Sequence, residues 1–207
     1  MKRVVLIAAC MAASACSTSA PPPSPAVTAA PPSAASSSSA SGSVAGSVRA
    51  AGTAVVVLEP KTTRLFLVQS EKPVMDQVGL SFGPELLLVR TGQPVEFRNN
   101  DDTLHNVHVS HEETREPAFN VAIPTGGAYT YTFARDGFYR VGCDIHPAMA
   151  ASIFAASTPF TTLADSAGNF GFADVPAGSW TVTVYADGKQ LRKDVEIAGG
   201  VTNVTME

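Results

Sequence analysis

The sequence predicts an all-β protein, and three observations carry this prediction. Short apolar runs are separated by turn-forming Gly, Pro, Asn and Asp throughout the chain after about residue 45. No long stretch of that region places apolar residues at helical spacing. Residues 129–133 and 180–184 alternate large apolar side chains with threonine, a pattern typical of antiparallel strands with one buried face. Many short strands at this spacing predict a sandwich or a barrel.

The predicted strands form two sets, which a change in composition near residue 157 separates. All four histidines and Cys143 precede this point, and no histidine or cysteine follows it. We therefore expect a domain boundary there. The first set covers residues 54–59, 64–68, 85–89, 94–98, 106–110, 128–134, 137–141 and 151–155, and the second covers 160–164, 169–172, 180–185, 190–197 and 201–206.

Residues 1–15 are typical of a signal peptide. They begin with basic residues, continue with an apolar run over 4–13 and end in small residues. The apolar run is too short for a permanent transmembrane helix. Cys16 follows directly, which resembles the lipidated cysteine of bacterial lipoproteins, and Ser17 is similar to the sorting signal for the outer membrane. We expect export to the periplasmic side with a lipid anchor at Cys16; plain secretion is the alternative.

Residues 16–45 predict a tether. They are almost wholly Ser, Ala, Pro, Thr and Gly, so they have too little apolar surface to offset the entropy lost on ordering. Such a segment would hold a folded domain away from a membrane surface. The formal net charge is −4 and no basic block occurs, which argues against nucleic acid as a partner.

A metal site is predicted by Cys143, His146 and Met149, which follow one another with the spacing C-x2-H-x2-M. His105 provides a further ligand from a separate segment. Thiolate, thioether and imidazole form a soft donor set that suits copper, and a His2Cys site with a weak axial Met is the blue-copper arrangement. Cys143 is the only thiol of the folded part, so no disulfide can form there and a metal would explain it.

Each of these residues also has a purely structural interpretation. Cys143 could be a small buried hydrophobe and Met149 a core filler. In an extended strand His105 and His111 project to one side and His108 to the other. We select His105 because it starts the strand, and expect His108 and His111 to be exposed or hydrogen-bonded. Zinc fits less well, since structural sites use several thiolates and catalytic sites use His and carboxylate without Met.

Residues 70–157 resemble a cupredoxin. The run 86–101 looks like the early strands of that family, and the H-N-V at 105–107 is similar to the first-ligand segment of plastocyanin and amicyanin. The C-x2-H-x2-M spacing is that of amicyanin. The M-D-Q at 75–77 and the C-D-I-H-P-x-M loop are closer to methylamine-utilisation-like cupredoxins.

This resemblance implies a Greek-key sandwich with copper at one end. The strong ligands would be His105, Cys143 and His146, with Met149 as the weak axial ligand. It also implies a hydrogen bond from the Asn106 backbone to the Cys143 sulfur, which would tune the reduction potential. Asp144 and Ile145 depart from the usual amicyanin loop, and an acidic residue beside the thiolate is expected to lower the potential.

Residues 158–207 resemble the transthyretin-like, carboxypeptidase regulatory-type β-sandwich. The resemblance rests on 162–170 and 174–182. The usual opening strands of that family are missing after residue 157. Residues 46–69, which contain G-S-V and A-V-V-V runs, would supply them, so that the cupredoxin is inserted into the small sandwich.

The function expected from these features is one-electron transfer by a blue copper protein that is not an enzyme. Electrons would pass near His146, where Pro147, Ala148 and Ala150 would form a small apolar docking surface for a redox partner protein. Two alternatives remain open. One is a copper chaperone or periplasmic copper buffer, and the other is a structural envelope module whose cupredoxin fold has lost its metal.

Overall fold

The computed structural model describes residues 40–207, and these residues form sixteen β-strands. The predicted all-β class is therefore confirmed. The predicted signal peptide, Cys16 and residues 16–39 of the predicted tether lie outside the described residues. Across 40–207, no helix has the length and apolar content needed to cross a membrane.

Most of the strands are joined by short connections, and the segment 61–73 between the second and third strands is the longest. In chain order they are β1 (Ser41–Val48), β2 (Val55–Pro60), β3 (Val74–Val78), β4 (Ser81–Gly83), β5 (Leu86–Arg90), β6 (Pro94–Asn99), β7 (His105–His111), β8 (Pro117–Ile123), β9 (Ala128–Thr132), β10 (Gly137–Gly142), β11 (Ala150–Ala156), β12 (Thr161–Leu163), β13 (Asn169–Pro176), β14 (Gly178–Ala186), β15 (Lys189–Ile197) and β16 (Gly200–Met206).

Two sheets built from β3–β11 pack face to face. One has the strand order β5-β11-β10-β7-β8 and the other β4-β3-β6-β9. Alternate residues of each strand point into the space between the sheets, as Val107 and Val109 do in β7, whereas His108 between them is exposed. Both sheets contribute to one apolar core, with Phe97 and Phe133 among its fully buried members.

The remaining strands form a second pair of sheets. Their orders are β13-β1-β16 and β12-β2-β14-β15. Trp180 on β14 is fully buried in their core, and its indole Nε1–H donates to the Pro176 carbonyl at 2.9 Å. The predicted alternation of 180–184 is only partly confirmed, because Thr183 is also buried, where its hydroxyl donates to Glu59 Oε2 at 2.8 Å.

Strand β2 is buried on both faces. Val56 and Leu58 belong to the core around Trp180, whereas Val55 and Val57 pack with Phe154 of β11. A strand covered on both sides reads as a continuous apolar run instead of an alternating one, which explains the V-V-V-L sequence of β2. The two sandwiches therefore share a packed contact through β2 and β11.

The predicted strand 64–68 is wrong. This segment contains no strand. Contacts of its side chains hold it in place of strand pairing. The Arg64 guanidinium donates to the Ala177 carbonyl at 2.7 Å and lies 5.3 Å from the centre of the Trp180 ring. Phe66 packs against Trp180, and Leu65 on the other side is 99% exposed. The apolar run at 65–68 therefore places one aromatic side chain inward and does not form a paired strand.

Strands β3, β4 and β8 were not predicted. The opening strand expected at 46–48 is the end of β1, which begins inside the predicted tether. Residues 41–45, assigned to the tether for their Ser and Gly content, belong to β1. The next residue of β1, Gly46, has no room for a side chain, because a Cβ at this position would lie 2.2 Å from Phe170 Cζ.

The opening strands pair with the C-terminal strands. β1 pairs with β13 in antiparallel and with β16 in parallel orientation, and β2 pairs with β12 and β14. This pairing supports the predicted grouping of residues 46–69 with 158–207. The division into an inserted and an interrupted domain stays a prediction.

Candidate metal centre

The ligand-bearing loop joins two paired strands. Residues 143–149 connect β10 to β11, whose last pair is Gly142 with Ala150. Within the loop, the Met149 N–H donates to the His146 carbonyl at 2.9 Å, and the Cys143 N–H donates to the Met149 carbonyl at 3.4 Å. These bonds close the loop on itself, so the three predicted ligands it carries come from one compact turn.

His105 reaches the same place from β7. It is the first residue of that strand, and β7 runs antiparallel to β10 with His108 opposite Gly142. Continuing this register brings His105 beside the loop that follows β10. His105 is fully buried, in agreement with its projection to the inner side of the strand.

Three of the predicted ligands converge. The candidate ligand atoms of His105, Cys143 and His146 all lie within 4.8 Å of one another. The two imidazole Nδ1 atoms are 2.9 Å apart, and the Cys143 Sγ is 3.9 Å from each of them. His105 and Cys143 are buried, whereas His146 is half-buried.

Met149 lies in the apolar core that also contains Cys143. It is only 2% exposed, and the bonds of the loop backbone hold its peptide beside those of Cys143 and His146. One cysteine sulfur, two imidazoles and a methionine thioether are the donor set of a blue-copper site. The residues present therefore fit copper.

The Asn106 side chain holds the loop in place. Its Oδ1 accepts from the Asp144 N–H at 2.7 Å and from the Ile145 N–H at 3.3 Å, and lies 3.3 Å from the Cys143 Sγ. The expected hydrogen bond from the Asn106 backbone to this sulfur is not found among residues 40–207. The backbone donor to the Cys143 Sγ is instead the His146 N–H, at 3.4 Å.

Asp144 turns away from the thiol and joins a polar surface network. Its carboxylate lies 3.0 Å from the His108 Nδ1 and accepts from the Asn120 and Asn106 amides at 2.8 and 3.0 Å. The pKa of Asp144 is lowered, first by the hydrogen bond with His108 and then by that with Asn120. The Asp144 carboxylate is thus bound to surface partners and makes no hydrogen bond with the Cys143 sulfur.

Asp101 contacts the buried ligand His105. The His105 Nε2 lies 3.0 Å from the Asp101 Oδ2, which also accepts from the Leu80 N–H at 2.8 Å. The pKa of Asp101 is lowered to about 2, mainly by the Leu80 N–H and next by His105. The carboxylate is therefore ionised at neutral pH.

The other two histidines of β7 lie outside the group. His108 is exposed and bonded to Asp144, and His111 is buried with its Nε2 3.2 Å from the Asp136 carbonyl and its Nδ1 accepting from the Thr114 N–H at 3.3 Å. Both match the expectation of exposed or hydrogen-bonded histidines.

The sequence did not reveal the roles of Asp101 and Asn120. Asp101 sits in the polar run 99–102, which predicts only a turn, and Asn120 lies in the unpredicted strand β8. Their contacts with His105 and Asp144 arise from strand packing and have no sequence spacing of their own. The only available signal was an acid four residues before a candidate ligand.

Comparison with known proteins points to the same site. Residues 69–154 match the model of a family described as copper binding proteins, plastocyanin/azurin family. These residues include three candidate ligands from the loop and His105. No curated protein sequence matches the chain.

Similar solved structures are copper proteins by their names. Amicyanin from Paracoccus versutus is 20% identical with a TM-score of 0.38, over 43% of this chain and 85% of that one. The Cu(I) form of an amicyanin mutant is 27% identical with a TM-score of 0.38, over 43% and 86%. A copper-containing nitrite reductase from Thermus scotoductus SA-01 is 27% identical with a TM-score of 0.39, over 48% of this chain and 26% of that one.

The family match and the donor set together indicate a cupredoxin-type copper-binding domain over residues 69–154. Copper is the cofactor that both indicate. The resemblance of residues 158–207 to a transthyretin-like sandwich stays a prediction.

Proposed function

We propose that the chain is an exported, lipid-anchored cupredoxin that carries one electron at a time. The observation that carries this proposal is the convergence of a buried thiol and two imidazoles, all within 4.8 Å, at the joined ends of β7 and β10. Copper bound there would supply a centre that exchanges one electron between Cu(II) and Cu(I).

In this reaction the protein would hold the candidate ligands in fixed positions. His105 is fixed by Asp101, the Cys143 sulfur accepts from the His146 N–H, and the Asn106 side chain ties the loop to β7. Because each ligand is held by bonds that do not involve the metal, little would rearrange when the charge of the site changes. On this proposal the protein is a carrier and not an enzyme.

An apolar surface surrounds the exposed edge of the site and supports docking of a redox partner protein. His146 is half-buried, and Pro147 and Ala148 beside it are exposed. Ile145 and Leu104, the chain neighbours of two candidate ligands, are 46% and 49% exposed. A partner that covers these residues would come close to the His146 ring, which gives electrons a short route.

Export and anchoring are proposed from the N-terminal sequence. The basic and apolar segment 1–15 is typical of a signal peptide, and Cys16 follows its small residues. The Ser- and Pro-rich residues that come next would let a folded domain reach partners at a distance from the membrane. Globomycin-sensitive processing and labelling with a palmitate analogue, lost in Cys16→Ala, would test the anchor.

Copper handling is the second candidate function, and the pairing of exposed His108 with Asp144 beside the site favours it. Such a pair could receive copper from outside. The burial of His105 and Cys143, both at most 4% exposed, favours a resident metal instead.

Voltammetry and copper exchange on the full chain distinguish the two functions. An electron carrier should show a reversible one-electron couple and retain copper in the presence of a competing chelator. Rapid loss of copper to the chelator without a reversible couple would establish copper handling. The variant His108→Asn serves as the control, since it removes an exposed imidazole that the carrier function does not use.

A further inference from the structure

We propose that Asp101 is a positioning residue for the candidate ligand His105, and that its negative charge lowers the reduction potential of the site. This inference rests on the proposed function, because it concerns a resident redox copper. Asp101 would act through His105 without touching the metal.

The first support is the contact itself. The Asp101 Oδ2 lies 3.0 Å from the His105 Nε2 and the His105 side chain is fully buried, so this nitrogen has no access to water. The Asp101 side chain is only 13% exposed. A carboxylate and an imidazole this close in a mostly enclosed position form a strong, charge-assisted hydrogen bond.

The second support is that the carboxylate is itself held. Its two oxygens accept backbone N–H groups of Leu80, at 2.8 Å, and Asp102, at 3.0 Å. The Asp101 N–H donates to the Asn99 Oδ1 at 3.0 Å, and the Asn99 amide donates to the Ile123 carbonyl of β8 at 2.8 Å. Asp101 is therefore held by bonds to backbone N–H groups and, through Asn99, to β6 and β8, none of which involve the His105 ring.

These contacts decide which nitrogen of His105 is free. With Nε2–H donating to Asp101, the neutral ring presents an unprotonated Nδ1, which is the nitrogen 3.9 Å from the Cys143 Sγ and 2.9 Å from the His146 Nδ1. A hydrogen bond at the second nitrogen fixes the tautomer and orientation of a ligating histidine and makes it a stronger donor.

A His105 imidazole that is a stronger donor, with the Asp101 carboxylate bound to its second nitrogen, favours Cu(II) over the less charged Cu(I). The Asp101 charge should therefore stabilise Cu(II) more than Cu(I), and the potential should fall. Loss of such a partner usually weakens metal binding by about 10- to 100-fold. If the tenfold loss fell on Cu(II) alone, the potential would rise by about 59 mV, the one-electron equivalent of a tenfold change.

The test compares Asp101→Asn with Asp102→Asn in the full chain. The first substitution removes the charge but leaves an amide oxygen that can accept from His105; the second removes the same charge from an exposed neighbour. We expect Asp101→Asn to raise the potential and weaken Cu(II) binding at least tenfold, with little change in Asp102→Asn. Equal shifts in both variants would overturn the proposal.

A second readout does not depend on copper. Nitrogen-15 NMR of the metal-free protein should show His105 as the Nε2–H tautomer, and Asp101→Ala should populate the Nδ1–H form. A pure Nε2–H tautomer in Asp101→Ala would also overturn the proposal. If the wild-type chain binds copper without a thiolate band, the proposed function fails, and the tautomer measurement decides for Asp101 alone.

Discussion

At the scale of single residues, the site depends on side chains that are held before any metal arrives. The Cys143 sulfur is buried beside two imidazoles, the Asn106 amide oxygen accepts from the loop backbone, and Asp101 holds His105. Loss of such a partner leaves a buried polar group unpaired, which costs about 1–3 kcal/mol. The ligands and the residues behind them therefore form one unit.

Met149→Leu tests whether the Met149 thioether would be a ligand of the bound copper. Leucine has a similar volume, so the free energy of unfolding of the metal-free protein should fall by less than about 1.5 kcal/mol. The potential should rise, because a thioether donor that stabilises Cu(II) is removed and the axial ligand tunes blue-copper sites. Redox titration and chemical unfolding measure the two effects.

Met75→Leu is the matched control for that substitution. Met75 is 1% exposed in the same core but belongs to β3 and not to the ligand loop. An equal change of potential in both variants would show that Met149 acts only as a core residue.

At the scale of elements, the site is built where three strands end or begin. β7 starts at His105, β10 ends before Cys143 and β11 starts after Met149. β10 pairs with both β7 and β11, so the strands that flank the ligand loop are hydrogen-bonded within one sheet. The distances between the candidate ligands therefore depend on the register of these strands.

The turn between β12 and β13 provides a pH-dependent prediction. The Asp165 carboxylate accepts from the Asn169 N–H at 2.8 Å and the Ala167 N–H at 2.9 Å, and the Asn169 bonds are the main cause of its lowered pKa. A pKa lower in the folded than in the unfolded state gives stability above the unfolded value, about 3.9, which is lost as the pH falls through the folded pKa.

Asp165→Asn should therefore be less stable than the wild type at neutral pH, and the gap should narrow below about pH 4. Chemical unfolding across this range measures it. Glu113→Gln, at an exposed carboxylate, is the control. A gap that stays constant with pH would show that the Asp165 charge contributes nothing to the turn.

Some strands and site residues could be predicted from the sequence, and others could not. The alternating run 129–133 gave β9 with its aromatic face inward, and the ligand loop was found because its residues are neighbours in sequence. The first five residues of β1, 41–45, were assigned to the tether because of their Ser and Gly content, although the adjoining Gly46 fits closely under Phe170. Asp101 was missed because its contact with His105 depends on the conformation of a turn.

At the scale of the whole molecule, the two sandwiches meet through aromatic packing. The Phe154 ring lies 4.7 Å from Phe138 and 5.1 Å from Tyr185, centre to centre, and Phe154 is 2% exposed. Phe154 belongs to β11, which follows the ligand loop directly, whereas Tyr185 belongs to β14. The metal-binding sandwich and the C-terminal strands are therefore joined through a common apolar cluster.

Phe154→Ala should lower the free energy of unfolding by about 3–5 kcal/mol, because it removes a buried ring and leaves a cavity. Fluorescence of Trp180, the only tryptophan, reports on one sandwich, and the copper–thiolate band reports on the other. The two transitions should coincide in the wild type and separate in the variant.

Leu163→Ala, at a side chain that is 39% exposed, is the control and should change stability by no more than about 0.5 kcal/mol. Wild-type transitions that already differ would show that the aromatic contact does not couple the two sandwiches.

Copper held by Cys143 and the two imidazoles would be a blue copper centre. The visible absorption and EPR spectra of the full chain titrated with Cu(II), beside those of Cys143→Ser, test this directly. We expect an intense thiolate-to-copper band and a narrow copper hyperfine splitting, both lost in Cys143→Ser. A colourless protein, or equal copper binding without the Cys143 thiol, would show that no blue copper site is present.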